Sequence, residues 1–293
     1  MEDIGALPWM KSILDKAKFI VKFVTTKPKV LNIFRAHSTL DFPKPSMTRF
    51  CYMYIVLDRV LRVRKGLLCT VVAEDWYNIQ EVRGGDTLFT QFSVLVMGDD
   101  EFWTKGDTLV AAIQSVYNVL RITYMEGSTL SLLYEYIDRI QESIQKVVGL
   151  SDIEKTTLCD AVRKRWDWFH KPIHAVAHIL HPLWRSEQQF TDIELENSWI
   201  DYIMRWSGGD VAILSELETE RLQFRSMERY LGQPIARLRE NQIASVTWWE
   251  KYGVSTPLLR RLALRILSQD CSTGPAERNW STWALFHTKK GID

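Results

Sequence analysis

Apolar residues recur every three or four positions along most of this chain, with polar residues filling the positions between, which is the signature of amphipathic helices. Over 8–26, Trp9, Ile13, Ala17, Ile20, Phe23 and Val24 fall near one face, with Lys11, Asp15, Lys18 and Lys22 opposite. Pro28 interrupts that helix, and 30–34 predicts a short one after the break. A proline-rich connector, DFPKPS, covers 41–46. Tyr54, Leu57, Asp58, Leu61 and Arg62 then keep helical spacing up to residue 65. The run 66–73 is apolar and β-branched enough to suit helix or strand; flanked by helices, it is read as helix. The stretch 74–100 is dominated by the turn signals RGGD and MGDD around a short apolar run at 94–97.

From 102 to 148 the period predicts two helices. Leu109, Ile113, Val116, Tyr117 and Leu120 stripe the first, and Leu130, Leu133, Tyr134, Ile137 and Ile140 the second, with Glu-Gly-Ser at 126–128 between them. Ser151-Asp152 caps the next helix, expected to reach Trp166. Further helices are expected over 192–206 and 214–231, separated by a Gly-Gly-Asp turn at 208–210 and followed by a linking segment at 233–240.

The densest pattern lies at 246–286. Trp248, Trp249 and Tyr252 are neighbours on one helical turn that Gly253 ends. Thr256 before Pro257 is the pattern of an N-cap followed by proline at the first helical position. Leu258, Leu259, Leu262, Ala263, Ile266 and Leu267 make one apolar stripe, with Arg260, Arg261 and Arg265 off it. Gly274-Pro275 opens another helix with Glu277 in its first turn, and Trp280, Trp283 and Ala284 share a face. Leu258, Leu262, Ile266 and Trp280 are therefore expected to be buried, and Arg261 and Arg265 exposed or paired. A carboxylate at Glu277 suits a helix N-terminus by its dipole; a catalytic role is the sharper alternative.

Composition narrows the function classes. The 293 residues are 46% hydrophobic and 25% charged, ordinary for a globular protein. A formal net charge of +1 gives no bulk attraction to nucleic acid, so any basic surface must be local, as around Arg59, Arg62, Arg64 and Lys65 or Arg260, Arg261 and Arg265. The four cysteines, Cys51, Cys69, Cys159 and Cys271, form no CxxC pair, so no structural zinc site is expected and reduced thiols are. No run of about eighteen apolar residues predicts a membrane span, and MEDIGALP is no signal peptide. His170, His174, His178 and His181 lie four, four and three residues apart, a tempting ligand ladder. Pro172 interrupts its start and no carboxylate sits among them at matching spacing, so the face is read as core and no metal site is expected.

The string TPLLRRLALRILSQDCSTGPAERNWSTW resembles the C-terminal region of hAT superfamily transposases, plant-type, known as the hAT dimerisation region. The family's order of motifs is a Trp-Trp segment, a Leu-rich helix, a Ser/Cys-rich turn, then Ala-Glu-Arg-aromatic-Ser. It is met here by Trp248-Trp249, 258–267, Cys271-Ser272-Thr273 and 276–281. Two further stretches are similar to the family. Thr48-Arg49-Phe50 matches its Thr-Arg-aromatic motif, and Trp166-Asp167, Pro172, His174-Ala175, Ala177 and Leu180-His181-Pro182 match a mid-chain segment in which only His174 meets the family's histidine.

The resemblance implies a mainly α chain, a helical insertion-type domain plus the C-terminal helices of an incomplete RNase H-like fold. The expected regions are 1–75, N-terminal helices left from the RNase H-like part; 76–240, the helical insertion; and 241–293, the dimerisation region. It makes Glu277 the third acid of an Asp-Asp-Glu triad, vestigial because the chain is expected to start after both aspartates. It makes Phe50 the position of an aromatic associated with DNA-hairpin chemistry, here without the indole N–H, and so a buried anchor at a helix start. Trp248, Trp249, Leu258, Leu262, Ile266 and Trp280 become dimerisation and packing residues. The expected function is that of a truncated, inactive hAT transposase-derived protein acting through dimerisation. The alternative is a DNA-binding protein or an active transposase or nuclease whose N-terminal part is missing. No cofactor is expected, since Mg²⁺ or Mn²⁺ would need a complete acidic triad. The expected partners are a second copy or a related hAT protein, with nucleic acid bound weakly and no membrane, and the expected location is the nucleus.

Overall fold

The computed structural model describes residues 2–43, 51–125, 127, 129–272 and 280. The chain is mainly α: the described residues form helices and short 3₁₀ turns, with no strand among them. In order these are α1 (Glu2–Gly5), α2 (Pro8–Thr26), α3 (Pro28–His37), α4 (Tyr52–Arg62), α5 (Arg64–Val72), α6 (Glu74–Tyr77), α7 (Gln80–Arg83) and α8 (Thr87–Gly98). They continue with α9 (Asp100–Thr123), α10 (Leu130–Gln145), α11 (Asp152–Phe169), α12 (Pro172–Ile179), α13 (Ile193–Ser207) and α14 (Val211–Ser226), and end with α15 (Arg239–Ile243), α16 (Ser245–Tyr252) and α17 (Pro257–Leu267).

Local chemistry explains most boundaries. Pro28 opens α3 as readily as it ends α2, because a first-turn residue needs no N–H. The ambiguous 66–73 run is helical in α5 as far as Val72, and Ala73 after it is extended. The poorly patterned 74–100 stretch is three helices; Asp86, inside the turn signal RGGD, caps α8 by accepting from the N–H of Leu88 at 2.8 Å and of Phe89 at 3.3 Å. Ser151 and Glu154 form a reciprocal capping box at the start of α11. The helix expected over 214–231 stops at Ser226. Met227 takes a left-handed conformation, φ 51°, and its buried side chain holds that turn in place.

The chain divides into two compact units. One comprises 1–117 and 140–163; the other comprises 118–139 and 164–293. Helices follow one another along the described chain, so no shift of composition marks a boundary, and helices distant in sequence complete each core. In the first unit Phe23 stacks on Phe92 with ring centroids 4.4 Å apart, and Phe89 meets Phe23 edge-on at 5.0 Å. In the second, Trp199, Phe224, Trp248, Trp249, Leu259 and Leu262 share one core.

Gly232 shows how tightly the second unit turns. A Cβ there would lie 1.9 Å from the carbonyl oxygen of Met227, a backbone atom that cannot step aside cheaply. Gly232→Ala should cost about 1–3 kcal/mol, as overpacking does, read as a lower urea midpoint; an unchanged midpoint would mean that the turn relaxes freely.

Candidate self-association region

The C-terminal helices of the second unit are built around two tryptophans. Trp248 and Trp249 are fully buried on α16 and pack edge to face at 5.3 Å. Each satisfies its indole N–H on a backbone carbonyl, Trp248 on Ala236 at 2.8 Å and Trp249 on Leu180 at 2.7 Å. The rings therefore pin the chain both before and far upstream of α16 without leaving a buried donor unpaired.

Helix α17 buries Leu259, Leu262, Ala263, Ile266 and Leu267. Leu258 is half-buried, a correction of about one residue in the phase of the stripe. Pro257 occupies the first helical position as expected, but Thr256 does not cap the helix; its hydroxyl donates to Gly253 O at 3.2 Å. The cap comes from elsewhere. The buried carboxylate of Glu220, on α14, accepts from the N–H groups of Leu258 and Leu259. Burial pushes its carboxyl above the usual carboxylate range, and the two N–H donors oppose that push. Sequence reasoning missed Glu220 because an N-cap signature is local, whereas this partner lies nearly forty residues away.

Arginine side chains close the other seams. Arg260 donates to the carbonyls of Trp249 at 3.1 Å and Glu250 at 3.0 Å, so it satisfies the end of α16. Arg261, exposed as expected, lies over the ring of Trp206 at 5.2 Å; Arg265 is exposed. Arg221 is buried, forked onto Glu196 and stacked on Trp199 at 4.5 Å. Among the cations singled out in the first unit, Arg59 bonds the Asp41 carbonyl, Arg62 pairs with Asp58 at 2.9 Å and Arg64 sits over Trp103 at 4.8 Å, while Lys65 is exposed. Most of these charges hold the fold rather than wait for phosphate.

The histidine ladder is not one helical face. Pro172 begins α12, so His170 lies before it, and His181 lies beyond its C-terminal residue. Lys171 is extended, as a residue before proline prefers. His174, His178 and His181 are buried among rings: Phe169 beside His174 at 4.8 Å, Tyr134 beside His178 at 5.0 Å and Trp184 beside His181 at 5.3 Å. Burial pushes His174 and His178 down to about 4 and His181 to about 3. His174 Nδ1 accepts from the Lys171 N–H at 2.9 Å, and His181 Nδ1 from the Leu183 N–H at 3.2 Å, so these neutral rings close turns.

Of the remaining expected residues, Trp280 is 76% exposed, contrary to its expected burial. Helical spacing says which residues share a face, not that another face comes within reach. Phe50 and Glu277 lie outside the described residues. Among the described residues no group of three or more His, Cys, Asp or Glu could hold a metal ion. Nor is any helix among them long and apolar enough to cross a membrane.

Residues 226–290 match the model of the hAT family C-terminal dimerisation region. The chain thus carries a hAT-type dimerisation region, which supports membership of the hAT family and a transposase-related protein that dimerises. No curated protein and no solved structure matches the chain.

Proposed function

We propose that this chain is a hAT transposase-derived protein of the plant type that works by dimerising through 226–290 with a second copy or a related hAT protein, and that it does not cut DNA itself. The observation carrying this reading is the dimerisation-region match lying over a well-packed helical core. Around that core Tyr230, Ile235, Leu238, Ile243, Val254 and Trp280 stay exposed, apolar area available to a partner. On this reading the remaining helices are an insertion-type domain with the last helices of an RNase H-like fold. Transposition by this family needs carboxylates converging on two metal ions. Of those three acids, only Glu277 is matched by a motif in this sequence. No catalytic step is therefore assigned to the chain. DNA contact, on the same reading, is weak and salt-sensitive, and the protein is nuclear.

Light scattering at micromolar concentration should give about twice the 34.3 kDa chain mass; a clean monomer would sink the dimerisation reading. Supercoiled DNA incubated with Mg²⁺ or Mn²⁺ should stay intact. Cleavage that disappeared in Glu277→Gln would restore the enzyme.

A further inference from the structure

Helix α13 has two apolar edges. Leu195, Trp199 and Ile203 face the core. On the other side Ile193, Ile200 and Met204 are 76%, 54% and 47% exposed, and Asn197 between them is exposed as well. Their spacing is four, three, four, that of a coiled-coil seam, and at 3.6 residues per turn all four fall within an arc of about 60°. Most helices at a protein surface turn polar residues outward; this one turns outward three large apolar residues and one asparagine.

We infer that α13 pairs with α13 of a second copy of this chain about a two-fold axis, as a second contact of the dimer proposed above, on which this inference rests. Three features favour a copy over a different partner. A seam of this spacing is self-complementary, since two identical edges interdigitate under two-fold symmetry. Its single asparagine is the polar seam residue that fixes register and strand number in paired helices, while the flank carries the Asp201–Arg205 ion pair. And α13 is continuous with the matched region: its Trp206 lies beneath Arg261 of α17, and both helices feed one core. A seam on a 15-residue helix is short of the roughly 800 Å² per partner of a stable interface, so it acts together with 226–290.

The test places opposite charges at Ile200, whose two copies face each other when the helices pair in parallel and in register, the arrangement that the seam asparagine specifies. Analytical ultracentrifugation of the full chain should show Ile200→Lys and Ile200→Glu each weakening dimerisation at least tenfold, with the helical signal and thermal midpoint kept because the residue is exposed. An equimolar mixture of the two should regain wild-type affinity, since Lys then faces Glu. Dimers unaffected by either variant, or a mixture no tighter than the separate variants, would overturn the pairing while leaving dimerisation through 226–290 intact. Loss of folding in both variants would also overturn it, because Ile200 would then be core. A monomeric wild-type chain would instead remove the dimerisation reading itself.

Discussion

Acidification from pH 6.5 to 4 should strip this protein of several kcal/mol of stability. His174, His178 and His181 are buried and held down to about 4, 4 and 3, below the 6.5 they would have unfolded. Above pH 6.5 the rings are neutral in both states and stability does not depend on them. Below it the unfolded chain takes up protons that the folded chain refuses, so stability falls as pH falls, until the folded rings themselves protonate near 4 to 3. Each ring contributes up to about 1.4 kcal/mol per pH unit across that window. Even half the ideal slope from three rings consumes a large share of the 5–15 kcal/mol typical of a folded domain. Urea midpoints at pH 7, 6, 5 and 4.5 would trace this, and His178→Phe should flatten the slope. A midpoint constant from 7 to 4.5 would mean the rings are not buried and neutral.

The second large effect is expected at Trp249. Replacing it by alanine should cost about 3–5 kcal/mol for the lost ring and its cavity, with about 1–3 kcal/mol more for the Leu180 carbonyl left without its donor. Trp249→Phe keeps much of the packing against Phe224, 4.9 Å away, and should cost the hydrogen-bond part. Leu262→Ala, on the same core, should cost about 2–5 kcal/mol and weaken self-association with it. Arg265→Ala, at an exposed position, should stay within about 0.5 kcal/mol, and Glu277→Gln within about 1 kcal/mol if that carboxylate only favours a helix start. Chemical denaturation ranks these variants. If Trp249→Ala were no worse than Arg265→Ala, the tryptophan pair would not organise this core.

The helices themselves were legible wherever apolar period and punctuation agreed. The 8–26 pattern is α2 to the residue, Asp192 caps α13, and the stripe of α17 is buried within one residue of its expected phase, whereas α14 begins at Val211, capped by the Asp210 that reads as a turn residue. Legibility failed in 74–100 because three short helices separated by turns leave too few periods to count. The motif order at 246–281 pointed to a dimerisation region, since side-chain type and spacing carry that signature directly.

What no local pattern could carry is which distant groups meet. Thr256 has the form of a cap, yet Glu220 from α14 takes the helix end, because a buried carboxylate supplies two acceptors to two adjacent N–H groups. Arg260 reads as an exposed cation and instead closes α16. Four histidines at helical spacing suggested one face, yet only His174 and His178 lie within α12, because proline's missing N–H starts that helix after His170. By itself the sequence determined the helices, their inward stripes and the family signature, all functions of neighbours along the chain. The tertiary structure alone decided how the two units divide the chain, which charges are buried and paired, and that α13 keeps an apolar edge outward. Those outcomes depend on which surfaces reach one another once every helix has hidden its larger face.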